Sequence, residues 1–421
     1  MRTLEIFTIC MLMMSVLITG YVAAETRLEL KHAEKLAIER DAVLQMKRAQ
    51  SEAHYEASVA DDTLPDPRIK LGLMNYPTDT FDRDQEPMTQ NLIAIQQMIP
   101  RGDTQEIKSH QSKKSGDVAW AEAIDRERKV IMQVRSVYLD LIYWNRAEQI
   151  VNQNKLLFKN LVKITESQYA SGIQRQQDVI RAELELDMLD DRLDEIKTRQ
   201  ESNRARLVKL IGEQDGGWQI VTDIPELTDL SDIENRLEQL EKHPQVMMAE
   251  AKIGRNQFGV ELARQSYKPN WMFEVSYGIR DGTNPNGTER ADFASAMISF
   301  DVPLFTGDKQ DRQVAASKLN YQASIDAREE VIRQLNSEYQ QAMSTWLRLQ
   351  GRLARYRSEI VPQARENASA SLHAYQSRRG DFTSLMRARI TELETNLKHF
   401  RMQTNLLKTQ AKLLYLLGEE Q

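Results

Sequence analysis

The chain is nearly without cysteine: one in 421 residues, Cys10, inside an apolar run near the start. Everything after residue 24 is therefore free of disulfides and thiol chemistry. The six histidines (His32, His54, His110, His243, His373 and His399) are scattered and never fall at metal-ligand spacing. Isolated histidines on helical stretches read as surface residues. There is no glycine-rich phosphate loop and no nucleophile elbow. No catalytic, cofactor-binding or metal-ligating set is expected, and the chain does not read as an enzyme. A basic excess is also missing: the net charge is −6, which argues against a nucleic-acid partner. After residue 24 no stretch is apolar enough for a transmembrane helix. A β-barrel stays open, because alternating strands hardly move an average hydropathy.

Residues 1–24 form a separate object. Arg2 gives a short basic start, Ile6 to Gly20 is an apolar-to-small run, and Val22-Ala23-Ala24 offers a small-residue cleavage site. That order reads as a secretory signal peptide, with a retained membrane anchor as the alternative. Phe7-Thr8-Ile9 before Cys10 lacks the small residue of a lipidation site.

What is there is said twice. Ala42-Val43-Leu44 and Pro67 recur, in spacing, as Pro244-Gln245-Val246 and Pro269. Gly102-Asp103 recurs as Gly307-Asp308. Tyr169, Val179-Ile180 and Ala182 recur as Tyr375, Leu385-Met386 and Ala388, and Leu210-Ile211-Gly212-Glu213 as Leu416-Leu417-Gly418-Glu419. The pattern predicts an internal tandem duplication: a first repeat over 25–215, a linker over 216–230 and a second repeat over 231–421. A catalytic site is rarely needed twice, whereas a symmetric wall or tube is built from repeats. By the same comparison, the adhesion-like tripeptide Arg101-Gly102-Asp103 reduces to a Gly-Asp helix start.

Each repeat opens with a helix, 29–60 and 231–266, that stops before prolines. Strand-like alternation follows. Trp271, Phe273, Val275 and Tyr277 alternate with Met272, Glu274 and Ser276; Ala294, Ala296, Ile298 and Phe300 alternate with Ser295, Met297 and Ser299. In the first repeat Ile69, Leu71 and Leu73 alternate with more polar neighbours, and Ile93, Ile95 and Gln97 share a side. The expected lipid-facing positions are Trp271, Phe273, Val275, Ala296, Ile298 and Phe300; a two-stranded flap on a soluble domain is the plainer alternative. Then comes a long helix in each repeat, from Asp103 to about Gln168 with only Gly116 interrupting, about 100 Å of rod. Asp103 with Glu106, and Asp308 with Asp311, read as helix starts. The second long helix carries an unbroken heptad seam from Ile332 to Ile360, and the return helices carry Ala182–Ile196 and Met386–Leu414. Trp120, Trp144 and Trp346 read as core or seam. Four strands cannot close a barrel, so several copies must share one.

These residues, in this order and in duplicate, resemble the TolC-type outer membrane efflux factors. The resemblance is carried by Leu36-Ala37-Ile38-Glu39 before Val43-Leu44, by Gly102 and Gly307, by Tyr169-Ala170-Ser171-Gly172 with Asp178-Val179-Ile180, and by Tyr375 with Leu385-Met386 and Ala388. It implies a mainly α fold with a small β part: long antiparallel coiled-coil hairpins forming a trimeric α-barrel, plus four strands per protomer in a shared 12-stranded transmembrane β-barrel. It also implies a homotrimer in outer membrane lipid, reaching into the periplasm, with a periplasmic adaptor and an inner-membrane pump of the resistance-nodulation-division type as partners. The periplasmic gate and adaptor-docking tips would comprise Tyr169, Gly172, Asp178, Tyr375, Arg378, Arg379, Ser384 and Arg387, with Tyr375 latched to Asp178. The chain departs from the family where Arg378 stands for a usual glycine, and where Ser384 and Arg387 stand for an acidic pair.

The loop from Met74 through Asp79, Asp82, Asp84 and Glu86 to Met88 looks similar to members serving copper or silver efflux, and methionine is a soft ligand suited to Cu(I). Heavy-metal efflux is one expectation for the cargo; drug or type I protein and peptide export is another. A structural secreted coiled-coil protein is the remaining competitor.

Overall fold

The computed structural model describes residues 27–173, 175–212, 217–230 and 233–418. The predicted leader lies outside them, as does Gly216 at the start of the predicted linker. Helices dominate: α1 (Leu30–Arg40), α2 (Ala42–Asp61), α3 (Thr104–Ala170), α4 (Gln176–Ile211), α5 (Pro244–Gln265), α6 (Gln310–Arg355), α7 (Val361–Gln376) and α8 (Phe382–Leu417). The strands are β1 (Arg27–Leu28), β2 (Arg68–Met74), β3 (Gln90–Ile99), β4 (Gln219–Ile220), β5 (Trp271–Ile279) and β6 (Phe293–Phe300). The order helix, strand pair, long helix, return helix occurs once in each half. The chain also divides into two compact units, and each draws on both halves. The repeat boundaries expected from the sequence and these compact units are thus different divisions of the chain.

One unit combines the described residues up to Asp41 with Val130–Asp229 and Ser344–Lys412. Its helices carry the predicted seams. Ala182, Leu189, Leu193 and Ile196 of α4 are buried with Val151, Phe158 and Leu161 of α3 and with Leu385, Leu393 and Leu397 of α8. A second cluster joins Ala33 and Ala37 of α1 to Val134, Tyr138 and Ile142 of α3 and to Leu207 and Ile211 of α4. There the Tyr138 hydroxyl donates to the Leu28 carbonyl at 2.7 Å, and β1 pairs in parallel with β4. Asp140 accepts from both Arg401 (3.0 Å) and Lys408 (2.7 Å), tying α3 to α8. Trp144 packs on the first cluster beneath the Arg401 guanidinium.

The other unit combines Ala42–Lys129, Leu230–Met343 and the described residues from Leu413. It holds a four-stranded antiparallel sheet in the order β2-β3-β5-β6. Gly116 does not interrupt α3. A Cβ there would lie 2.8 Å from the Tyr55 ring, so glycine permits the close approach of α2.

Five expectations need correction. The first helix is two, because Asp41 is extended (φ −70°, ψ 104°). The helix expected from 231 is a 3₁₀ segment, Ile233–Lys242, ahead of α5. The second long helix begins at Gln310, not at Asp308; Asp311 instead accepts from the Tyr267 hydroxyl. The seam to Ile360 is broken by a π-helical turn, Tyr356–Ile360, in which Val361 N–H bonds the Tyr356 carbonyl. Pro362 follows and has no N–H for the Ser358 carbonyl, so the regular ladder cannot run through. Trp120 is 48 % exposed in the single chain and is not core there.

Candidate functional site: an apolar sheet face and two hairpin tips

The register of the sheet decides which side chains share a face. Phe273 is opposite Ile298 and Gln97, Val275 is opposite Ala296 and Ile95, and Trp271 is opposite Phe300 and Ile99. Ile95 in turn faces Ile69, and Ile93 faces Leu71. Directly opposed residues of antiparallel strands point the same way. All six expected lipid-facing residues therefore fall on one face, which continues across all four strands through Ile93, Ile95, Ile69, Leu71 and Leu73. Most of that face is exposed, Ile69, Leu71 and Leu73 by more than 70 %. At its end the Trp271 and Phe300 rings pair at 4.9 Å. The opposite face carries Lys70 and Glu274, paired at 2.6 Å, with Ser276, Ser295 and Ser299.

The loops above the sheet are stitched together by arginines. The Arg290 guanidinium donates to the Asp84, Glu86 and Asp281 carbonyls, and Arg280 donates to that of Pro87. Asn75 donates to the Met88 carbonyl at 3.1 Å and accepts, through its own carbonyl, from Thr89. The loop ends bearing Met74 and Met88 are thereby brought to one neck. Among the described residues, no group of three or more His, Cys, Asp or Glu side chains could hold a metal ion.

The hairpin tips use one device twice. At the first, Gly172 (φ 70°) follows the end of α3, and Ile173 N–H bonds the Gln168 carbonyl at 2.9 Å. At the second, Arg378 (φ 60°) takes the glycine's place, and Arg379 N–H bonds the Ala374 carbonyl at 2.8 Å. Both are left-handed helix stops. For arginine that conformation is strained, by about 1–2 kcal/mol. So the substitution visible in the sequence carries a backbone cost. Asp381 opens α8: its carboxylate accepts from Ser384 N–H at 2.9 Å and from its hydroxyl at 2.7 Å. Those two bonds hold the Asp381 carboxyl below the usual range. Ser384 and Arg387 lie exposed on the first two turns of α8, and Asp178 sits in the first turn of α4.

Tyr375 is buried in the helical core, whereas its counterpart Tyr169 is 47 % exposed. Its hydroxyl donates to Gln168 Oε1 at 2.8 Å, not to Asp178. Burial, and then the negative charge of Asp178, raise the Tyr375 hydroxyl above its ordinary pKa. The hairpin-to-hairpin hydrogen bond thus exists in the single chain, with Gln168 as acceptor. Gln168 directly precedes Tyr169 in the repeat signature, but no sequence signal marked it.

Sequence reasoning also missed a buried polar cluster. His243 is fully buried as the N-cap of α5; its Nδ1 accepts from Gln245 N–H at 3.2 Å, and its Nε2 has no hydrogen-bond partner among the described residues. Its ring meets Tyr415 edge-on at 5.1 Å. Buried Asp125 accepts from the Tyr415 hydroxyl at 2.8 Å and pairs with Lys129 at 2.6 Å. Burial lowers His243 to about 4 against the opposing pull of Asp125. Burial and Asp125 together push the Tyr415 hydroxyl upward. The one available signal was the dipeptide His243-Pro244, since proline favours the first helical position and the residue before it the cap.

An amphipathic four-stranded sheet with long helical hairpins is the architecture of outer-membrane channels, and solved structures share it. The outer-membrane channel OprN is 17 % identical, with a TM-score of 0.78 over 93 % of this chain and 90 % of its own. VceC of Vibrio cholerae is 16 % identical (TM-score 0.75; 92 % and 96 %). CusC is 11 % identical (TM-score 0.76; 93 % and 92 %). No curated protein sequence matches the chain. Residues 237–419 match the outer membrane efflux protein family. The chain therefore shares the fold of these outer-membrane channels.

Proposed function

We propose that this protein is the outer-membrane exit duct of a tripartite efflux system, acting as a homotrimer with a periplasmic adaptor and an inner-membrane pump of the resistance-nodulation-division type. One observation carries the proposal. The sheet has a continuous apolar face and two edge strands, β2 and β6, with no further strand paired beyond them among the described residues. An open edge in hydrocarbon leaves backbone groups without partners, at several kcal/mol each. Pairing β2 of one copy with β6 of the next removes every edge once the ring closes, and three copies give the twelve strands implied by the family resemblance. A tandem duplication explains the two strand pairs, the two hairpins and the left-handed stops at Gly212 and Gly418, each of which donates its N–H four residues back. Mass measurement after gentle detergent extraction should give trimers; monomers or dimers would overturn the assembly. The chain should stay with outer membranes through salt and carbonate washing, whereas release would favour a secreted structural protein.

For cargo, the Met74–Met88 loop supports heavy-metal efflux by its likeness to copper and silver systems. Selection would then reside in pump and adaptor. Deleting the gene should sensitise cells to copper or silver more than to dyes and detergents. Sensitivity confined to drugs, or a defect in protein secretion, would reassign the cargo and leave the duct intact.

A further inference from the structure

The chain is acidic overall, yet its hairpin tips are not. Over the equivalent segments 169–181 and 375–387, Arg175, Arg181, Arg378, Arg379 and Arg387 stand against only Asp178 and Asp381. Asp381 is already engaged by Ser384. Arg181 donates to the Thr383 hydroxyl, a neutral partner. Among the described residues, Arg175, Arg378, Arg379 and Arg387 form no ion pair, and all four are exposed. Carboxylates reappear beyond this zone, at Glu166 on α3 and at Glu183, Glu185 and Asp187 on α4.

The backbone gives an independent reason to read the charge as functional. Arg378 holds a left-handed conformation that glycine fills at the matching turn of the first hairpin. It is exposed, so no packing of its side chain repays the strain. An observed outlier of this kind points toward use of the side chain.

We propose that the tips form an electropositive collar that makes this duct anion-selective, so that its cargo enters as anions. This rests on the duct reading given above, in which the tips are the periplasmic end. Rings of arginine or lysine select anions as carboxylate rings select cations. A charged constriction also raises the local concentration of the opposite ion. With three protomers, fifteen arginines and six aspartates would ring the entrance. A soft metal would then leave as an anionic complex and not as the free cation.

The test uses the full-length protein in planar bilayers under a potassium chloride gradient. The wild-type reversal potential should report preference for chloride, and the preference should fall as salt rises and screens the collar. Citrate added on the tip side should block current. In Arg378→Gly/Arg379→Gln/Arg387→Gln, which alters only exposed positions and removes the backbone strain, chloride preference should drop several-fold and citrate block should weaken. Trimer yield checks that the variant assembles; if it does not, Arg387→Gln alone should still lower both readouts. A wild type that prefers potassium, or a variant with unchanged selectivity and block, would overturn the collar while leaving the duct reading standing. The latter result would assign the arginines to adaptor docking instead. No conductance in either protein would overturn the duct reading and the collar with it.

Discussion

Acid should weaken the fold through His243. The side chain is fully buried, one ring nitrogen is occupied as an acceptor, and the other has no hydrogen-bond partner among the described residues. Protonation would place a charge where the nearby carboxylate, Asp125, is already paired with Lys129 and bonded to Tyr415, and where Arg128 adds a like charge. The folded-state value is therefore depressed from 6.5 to about 4. A histidine held neutral contributes stability that is fully present above the unfolded value near 6.5 and is lost as pH falls toward 4. At 1.36 kcal/mol per pKa unit the whole loss is about 3 kcal/mol per chain, and about 2 kcal/mol is gone by pH 5. Circular dichroism melting in detergent at about pH 7.5 and pH 5 would measure it against His243→Asn, which keeps a capping acceptor and cannot titrate. The wild type should lose thermal stability between the two conditions, and the variant much less. Equal losses in both proteins would refute the assignment of acid sensitivity to His243.

Three further outcomes are expected. Lysine at Phe273 or Ile298, which face each other across β5 and β6, should cost about 2–4 kcal/mol per chain near mid-bilayer, whereas lysine at Ser276 or Ser299 should be tolerated; heat-modifiability of the assembled protein would compare them, and equal tolerance would count against the faces. Arg378→Gly should raise unfolding stability by about 1 kcal/mol, since relief of strain outweighs the added freedom of the unfolded chain, and Gly172→Arg should lower it by a similar amount. Tyr375→Phe removes the bond to Gln168, worth about 1 kcal/mol; together with Asp178→Ala it should raise single-channel conductance and admit large antibiotics such as vancomycin. Unchanged conductance at normal trimer yield would remove both residues from the gate.

Much of this was legible in the chain. Period-two alternation put Phe273 and Ile298 on an apolar face, and three-and-four spacing put Leu189, Leu193 and Leu397 in a core, because a strand and a helix each impose a fixed repeat on what they bury. Gly102-Asp103 marked a helix start, because a capping acid acts on the backbone of its own first turn. Elsewhere long-range contact decided. Pro362 could be read as a warning, yet only the folded helix shows that the ladder answers with a π turn and not a break. His243 looked like any surface histidine until α5 was set against Asp125 and Tyr415, since burial is a property of neighbours distant in sequence. Tyr375 was marked by its repeat position, but its partner, Gln168, depends on how two hairpins 207 residues apart pack together. A sequence repeats its periods locally and so declares its elements; which polar atoms meet is fixed only when those elements pack.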